Sequence, residues 1–352
     1  MKLDDLGFED WFEEHAEAML QPGQCIARVT AVDRGAYLIQ DESRQCAAEL
    51  AGRFRFSAQS SIDLPCVGDW VCVQFHNAGE NAVIHNVLPR RTFLRRKCAG
   101  KAVDFQMIAA NIDTPFIAQS CHYDFNVRRL DRYLVMAGEG HCRPVIVLSK
   151  TDLVSPDALA QLIATIRGAG ITADIIPLSS STGEGVDDFI KRLLPGKTYC
   201  LLGSSGVGKT TLINRILGKD TFVTKQVSGT GEGTHATSRR QLIVLDQGAL
   251  LMDTPGMREL GILASEEGLN ESFSDIHKLA QECRFANCTH TQEPGCAVLA
   301  SAGEGDLSEA RYRSYHKLKK ESDFNEMNYV ERRKKDKDFG KFIKSVKKST
   351  KR

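Results

Sequence analysis

No run of this 352-residue chain approaches the ~18 consecutive apolar residues that a membrane-spanning helix needs. The amino terminus is acidic where a secretory leader would be basic and then apolar, so no export signal is expected. A disulfide framework is missing as well. Of eleven cysteines, eight are scattered, several inside apolar stretches such as those around Cys25, Cys72, Cys142 and Cys200. That scatter fits buried, reduced thiols in a cytoplasmic protein. Strong net charge is also absent, at +1 overall. These absences argue against a membrane protein and against a disulfide-stapled scaffold. They leave an ordinary soluble composition and enough chain for two or three domains.

The near-zero total conceals an uneven distribution. Residues 311–352 hold 16 Lys and Arg against 6 Asp and Glu, a net of +10, which leaves −9 for residues 1–310. The first twenty residues carry seven acids and one Lys. A basic tail on an acidic chain suggests a polyanionic partner, nucleic acid being the commonest, with a merely solvated tail as the alternative.

The hydropathy pattern divides the chain into five parts. Residues 1–20 read as an acidic amphipathic helix that docks either on the body or on a partner. Five short alternating strands follow within 21–98, punctuated by Gly, Asp, Asn and Pro, and suit an OB-fold barrel that binds nucleic acid, or else a barrel used only for packing. Arg90, Arg91, Arg95, Arg96 and Lys97 make a basic exit from it. Residues 99–265 alternate strand and helix, implying a mostly parallel sheet covered on both faces. Its strand candidates begin at Ile108–Asp113, and its helices include Gly185–Leu194. A helical unit spans 266–328, and a Lys-rich tail, expected to be disordered without a partner, spans 329–352.

Four strand-ending loops of the α/β part carry the chemistry, as they do in open parallel sheets. Gly203-Ser204-Ser205-Gly206-Val207-Gly208-Lys209-Thr210-Thr211 satisfies the phosphate-loop pattern, with an apolar strand before it and a helix after it. Glycines let the backbone N–H groups close round phosphates, Lys209 reaches the β- and γ-phosphates, and the Thr210 hydroxyl ligates Mg²⁺. Asp253-Thr-Pro-Gly256 ends another apolar strand, 44 residues after Lys209. There Asp253 holds the Mg²⁺ shell and the Gly256 N–H senses the γ-phosphate. Ser149-Lys150-Thr151-Asp152 is similar to the guanine-reading N-K-x-D loop, with Ser in place of Asn. The Asp152 carboxylate accepts from guanine N1–H and the exocyclic amine, a donor pair that adenine lacks. Ser179 and Ser180 belong to a small-residue loop that backs the base. Both base-reading loops precede the phosphate loop, which marks a circular permutation of the usual GTPase order.

Between Lys209 and Asp253 lies a glycine-rich stretch, residues 229–238. Thr237 is its candidate second Mg²⁺ ligand, with Thr234 and Ser238 as rivals. Met257 stands where many GTPases use Gln to position water, so His235 is the nearest polar substitute, or a bystander. Finally, Cys283-x4-Cys288-x-His290-x5-Cys296 packs three thiols and an imidazole into fourteen residues, a donor set for one structural Zn²⁺.

Together these features resemble the small-ribosomal-subunit-dependent GTPase A family, RsgA or YjeQ, across about residues 22–325. Gly68-Asp69-Trp70-Val71, Leu88-Pro89-Arg90, Ala110-Asn-Ile-Asp113 and Gly233-Thr-His235 carry it alongside the permuted motifs and the Cys/His cluster. The resemblance implies three units: an OB-fold barrel, a permuted P-loop GTPase domain and a helical zinc domain. It also implies GTP and GDP as ligands, slow hydrolysis stimulated by the small ribosomal subunit, rRNA as partner and a catalytic role for His235. A monomer without membrane attachment is expected. The alternative reading is a nucleotide-switched rRNA-binding module in which hydrolysis is incidental.

Overall fold

A computed structural model describes residues 2–33, 35–97, 105–123, 125–218, 240–253 and 266–326, with backbone alone at 97, 253, 266–267 and 324–326. After a helix α1 (Asp10–Met19) come β1 (Cys25–Asp33), β2 (Ala36–Gln40), β3 (Gln45–Leu50), a short helix α2 (Gly52–Ser57), β4 (Trp70–His76) and β5 (Asn81–Val87). These strands close in the order β1-β2-β3-β5-β4 and back to β1, with β3 and β5 parallel. Alternation decides which side chains enter the barrel, and Val29, Ile39, Val73 and Ile84 fill it. The five-strand OB-like barrel expected from the sequence is therefore present.

A hairpin, β6 (Phe93–Lys97) and β7 (Phe105–Ala110), forms a separate two-stranded sheet. The strand expected at Ile108–Asp113 thus begins earlier and lies outside the parallel sheet, because its nearest partner is the strand just before it.

The α/β unit follows as β8 (Thr114–Ser120), α3 (Val127–Glu139), β9 (Val145–Ser149), α4 (Pro156–Gly168), β10 (Asp174–Pro177), α5 (Val186–Ile190), β11 (Thr198–Leu202), α6 (Lys209–Leu217), β12 (Arg240–Val244) and β13 (Leu250–Asp253). Helix α5 is shorter than the expected Gly185–Leu194. The strands run β10-β9-β8-β11-β13-β12, parallel except for β12. One face packs under α3 and α4 through Leu130, Tyr133 and Ile166; the other packs under α5 and α6 through Phe189 and Leu212. Beyond them α7 (Glu266–Ser272), α8 (Ser274–Gln281), α9 (Ala297–Glu304) and α10 (Glu309–Glu326) enclose a core of Phe273, Ile276, Val298 and Tyr315. Helix α7 lies close against α3, where a Cβ on Gly268 would meet the Val135 carbonyl at 2.6 Å. No helix among the described residues is long and apolar enough to cross a membrane.

Two seams join these units. At the first, β1 pairs antiparallel with β12 through Ala31 and Gln241, so barrel and α/β sheet form one eleven-stranded sheet. At the second, the acidic leader lies against the body. Leu6 and Phe12 are fully buried, and Phe8 meets Trp70 edge-on at 4.8 Å. Glu9 pairs with Arg91 and Lys197, and Arg91 also reaches Asp113 at 2.9 Å. The buried Arg28 donates to the carbonyls of Leu6, Gly68 and Asn111 and to the Thr198 hydroxyl, so one guanidinium ties leader, barrel, linker and β11. Burial pulls its pKa down to about 10, which still leaves it charged at neutral pH.

The arginines of the basic exit from the barrel are engaged within the protein. Arg90 binds Asp69 at 2.7 Å, Arg95 pairs with Glu139 and Arg96 bonds Gln106 at 3.0 Å. Asp69 is fully buried, and its removal leaves a largely buried guanidinium without its counter-charge. Asp69→Ala is expected to lower stability by about 3–5 kcal/mol, read as a shift of the denaturant midpoint at constant slope. A change below about 1 kcal/mol would show the pair to be incidental.

Candidate functional site

Central strand β11 is buried along its whole length and delivers the phosphate loop at its C-terminal end. Gly203 sits at φ +141°, where a Cβ would meet the Ala118 carbonyl at 2.3 Å, so the loop leaves the sheet by a path only glycine takes. At φ +98°, Gly208 caps α6, which starts at Lys209. Lys209 is itself buried, its Nζ donating to the carbonyls of Gly203 and Ser204 at 2.7 Å each. The ammonium thus spans the loop and holds it in a ring. Thr210 and Thr211 lie in the first turn of α6, where backbone N–H groups and the helix dipole favour an anion.

Strand β9 ends at Ser149, whose hydroxyl donates to the Val207 carbonyl at 2.6 Å and lies 3.3 Å from that of Gln119. The base-reading loop is thereby pinned to the phosphate loop, so the shorter Ser supplies a bond in the position of the usual Asn. Lys150 adopts φ +61°, turning the chain so that Asp152 is exposed beyond the strand end. The fully buried Ser179 donates to Asp152 Oδ1 at 2.6 Å and accepts from the Ser181 and Thr182 N–H groups. From α6, Arg215 donates to the Ser180 carbonyl at 2.9 Å. Three loops that are distant in sequence are therefore bonded to one another, and the cradle and the exposed carboxylate fit a guanine nucleotide.

Asp253 ends β13 beside Leu201 of β11, which puts its backbone next to the phosphate loop. Gly256, Met257, His235, Thr237, Thr234 and Ser238 lie outside the described residues. One contact had no signal in the sequence: Arg129, in the first turn of α3, donates to the Ser204 hydroxyl at 2.8 Å.

In the helical unit, the ligand atoms of Cys283, Cys288, His290 and Cys296 lie within 4.8 Å of one another. Bonds of about 2.3 Å to sulfur and ~2.0 Å to nitrogen set tetrahedral edges of about 3.8 Å between sulfurs and about 3.5 Å between sulfur and nitrogen. Cys283 and Cys296 sulfurs are 3.8 Å apart, and each is 3.5 Å from His290 Nδ1. The spacing fits a four-coordinate metal. Tyr312 donates to the His290 carbonyl at 2.8 Å, which fixes that ligand's backbone at φ +57°.

Comparison with known proteins agrees with this geometry. The RsgA GTPase family model matches residues 87–263. The chain belongs to the RsgA GTPase family. Relatives include the small ribosomal subunit biogenesis GTPase RsgA 2 of Lactiplantibacillus plantarum, 40% identical over 89% of this chain and 88% of its own. RsgA of Opitutus terrae is 40% identical over 91% and 90%. Among solved structures, YjeQ from Thermotoga maritima matches with TM-score 0.63 and 26% identity over 85% of this chain and 98% of its own. YloQ, described as a circularly permuted GTPase, matches with TM-score 0.61 and 26% identity over 87% and 97%. In this RsgA-family chain the permutation is visible directly: β9 and β10, carrying the base-reading loops, precede the phosphate-loop strand β11.

Proposed function

We propose that this chain is a GTPase of small ribosomal subunit biogenesis that binds the subunit through its rRNA and acts in the cytoplasm as a monomer. The reading is carried by one observation above all: in an RsgA-family chain, Ser149 bonds the base-reading loop to the phosphate loop, making one guanine-nucleotide site. Within it, Lys209 takes the β- and γ-phosphates, with the loop 203–208 and Thr211 around them. Ser149, Lys150, Thr151, Asp152, Ser179 and Ser180 receive the base. Thr210, Thr237 and Asp253 hold Mg²⁺, which offsets charge developing on the phosphoryl oxygens. Gly256 senses the γ-phosphate and His235 orients the attacking water. Cys283, Cys288, His290 and Cys296 hold Zn²⁺ as a fold-stabilising ion. The divisions at 20/21, 98/99, 265/266 and 328/329 separate leader, barrel, GTPase domain, zinc domain and tail.

Sedimentation with purified small subunits in GTP-analogue, GDP and nucleotide-free states, run beside GTP turnover, tests this reading. Co-sedimentation with the analogue, release with GDP and faster turnover on subunit addition are expected. Turnover that saturating subunits leave unchanged, without co-sedimentation, would overturn it. Full assembly activity with the analogue alone would instead favour a binding module with incidental hydrolysis.

A further inference from the structure

Helix α3 touches both the phosphate loop and the zinc-cluster unit, and a cleft of about 330 Å³ opens where the three meet. Arg128, Arg129 and Arg132 of α3 and Lys317 of α10 line it, together with Ser204. No carboxylate is among the described residues lining it. Glu321 of α10 pairs with Arg132 at 2.7 Å. Arg128 and Lys317 are exposed, while Arg129 is half-buried, its N–H capped by the Asn126 side chain. Asp131, the nearby acid on α3, is buried and bonded to Ser314 and Arg311, and from there it also attracts Arg128.

We infer that this cleft takes the phosphodiester backbone of RNA and reports its arrival to the phosphate loop through Arg129. Guanidinium groups recognise phosphate with paired N–H donors, and such contacts position a protein on nucleic acid without reading sequence. The report is a chain of three bonded groups. Arg129 donates to the Ser204 hydroxyl at 2.8 Å, and the Ser204 carbonyl accepts from Lys209 Nζ at 2.7 Å. A phosphate that draws Arg129 outward loosens Ser204 and, with it, a carbonyl that helps to hold the Lys209 ammonium. Lys209 is then easier to transfer to the nucleotide phosphates. Because the cleft spans α3 and α10, any nucleotide-linked shift of one helix against the other changes its width, so RNA binding and nucleotide state are coupled in both directions.

This inference rests on the proposed small-subunit function, and its test keeps the two separable. Arg128→Glu with Lys317→Glu changes two exposed side chains, and an unchanged melting curve will verify the fold. Basal GTP turnover should stay at the wild-type level while stimulation by purified small subunits falls about tenfold or more, the loss expected when phosphate contacts are reversed in sign. A photo-cross-linker replacing Lys317 should join the chain to rRNA in the assembled complex. Undiminished stimulation of the double variant, lowered basal turnover, or cross-links confined to ribosomal protein would each overturn the inference. Wild-type protein that fails to respond to subunits would overturn the parent reading and this one together. A responsive wild type with an equally responsive variant removes only the cleft.

Discussion

An Asp152→Asn protein is expected to lose its preference for GTP and to favour xanthosine triphosphate, a change in discrimination on the order of 10⁴. The Asp152 carboxylate accepts from both guanine N1–H and the exocyclic amine. An amide in its place turns one acceptor into a donor, which then faces the guanine amine. Xanthine carries a carbonyl at that carbon and accepts from the new donor. The exchange leaves the loop itself intact, because Ser179 donates to Oδ1 at 2.6 Å and an Asn Oδ1 accepts equally well. Ser179 is in turn held by the Ser181 and Thr182 N–H groups at 3.2 and 3.1 Å, so its hydroxyl keeps the side chain at 152 in one orientation. Competition binding with GTP, ATP and xanthosine triphosphate measures the effect. Unaltered selectivity would show that the base is read elsewhere.

If the Cys283–Cys296 cluster holds Zn²⁺ as proposed, stripping it is expected to unfold the helical unit. Zinc binding at such a cluster contributes about 10–16 kcal/mol of free energy that is at the same time folding free energy. The reason lies in where the ligands sit. Cys296 starts α9, accepts the Leu299 N–H at 3.4 Å and belongs to the same core as Phe273 and Tyr315. His290 is buried, and its carbonyl receives the Tyr312 hydroxyl from α10. Three thiols and an imidazole without a metal would leave that core with polar groups facing one another. Cys296→Ser, or a strong chelator, should release one equivalent of zinc and lose the helical signal of α8 and α9. Nucleotide binding should persist, since the core beneath the phosphate loop is built from Phe116, Phe189 and Leu212. Metal-free protein that retains its full helical signal would argue against a structural zinc site.

The candidate site was legible residue by residue wherever its chemistry is local. Loop 203–211 contains its own glycines, ammonium and hydroxyl, and the Cys/His cluster fits within fourteen residues. What Ser149 does in place of the usual Asn was not legible, because the hydroxyl's acceptor, the Val207 carbonyl, lies 58 residues away. The arginines after the barrel read only as a basic exit for a similar reason. Their counter-charges, Asp69, Asp113 and Glu139, are invisible to any local window, and pairing turns a basic run into a structural seam. The strand at 105–110 was displaced because an apolar run reports burial without naming its partner.

By itself the sequence determined which chemistries are present: a phosphate loop, two base-reading loops ahead of it, a four-ligand cluster and five barrel strands. Each is written in neighbouring residues whose backbone conformation and side-chain donors are set by short-range sterics and hydrogen bonding. Only the tertiary structure decided where the acidic leader docks, that β1 and β12 merge two sheets into one, and that α3 and α10 meet over a cationic cleft. Those outcomes depend on pairs such as Arg28 with Thr198, 170 residues apart, and Arg132 with Glu321, 189 apart. A contact at that separation closes a long loop and depends on the packing of whole elements, so it leaves no local pattern to read.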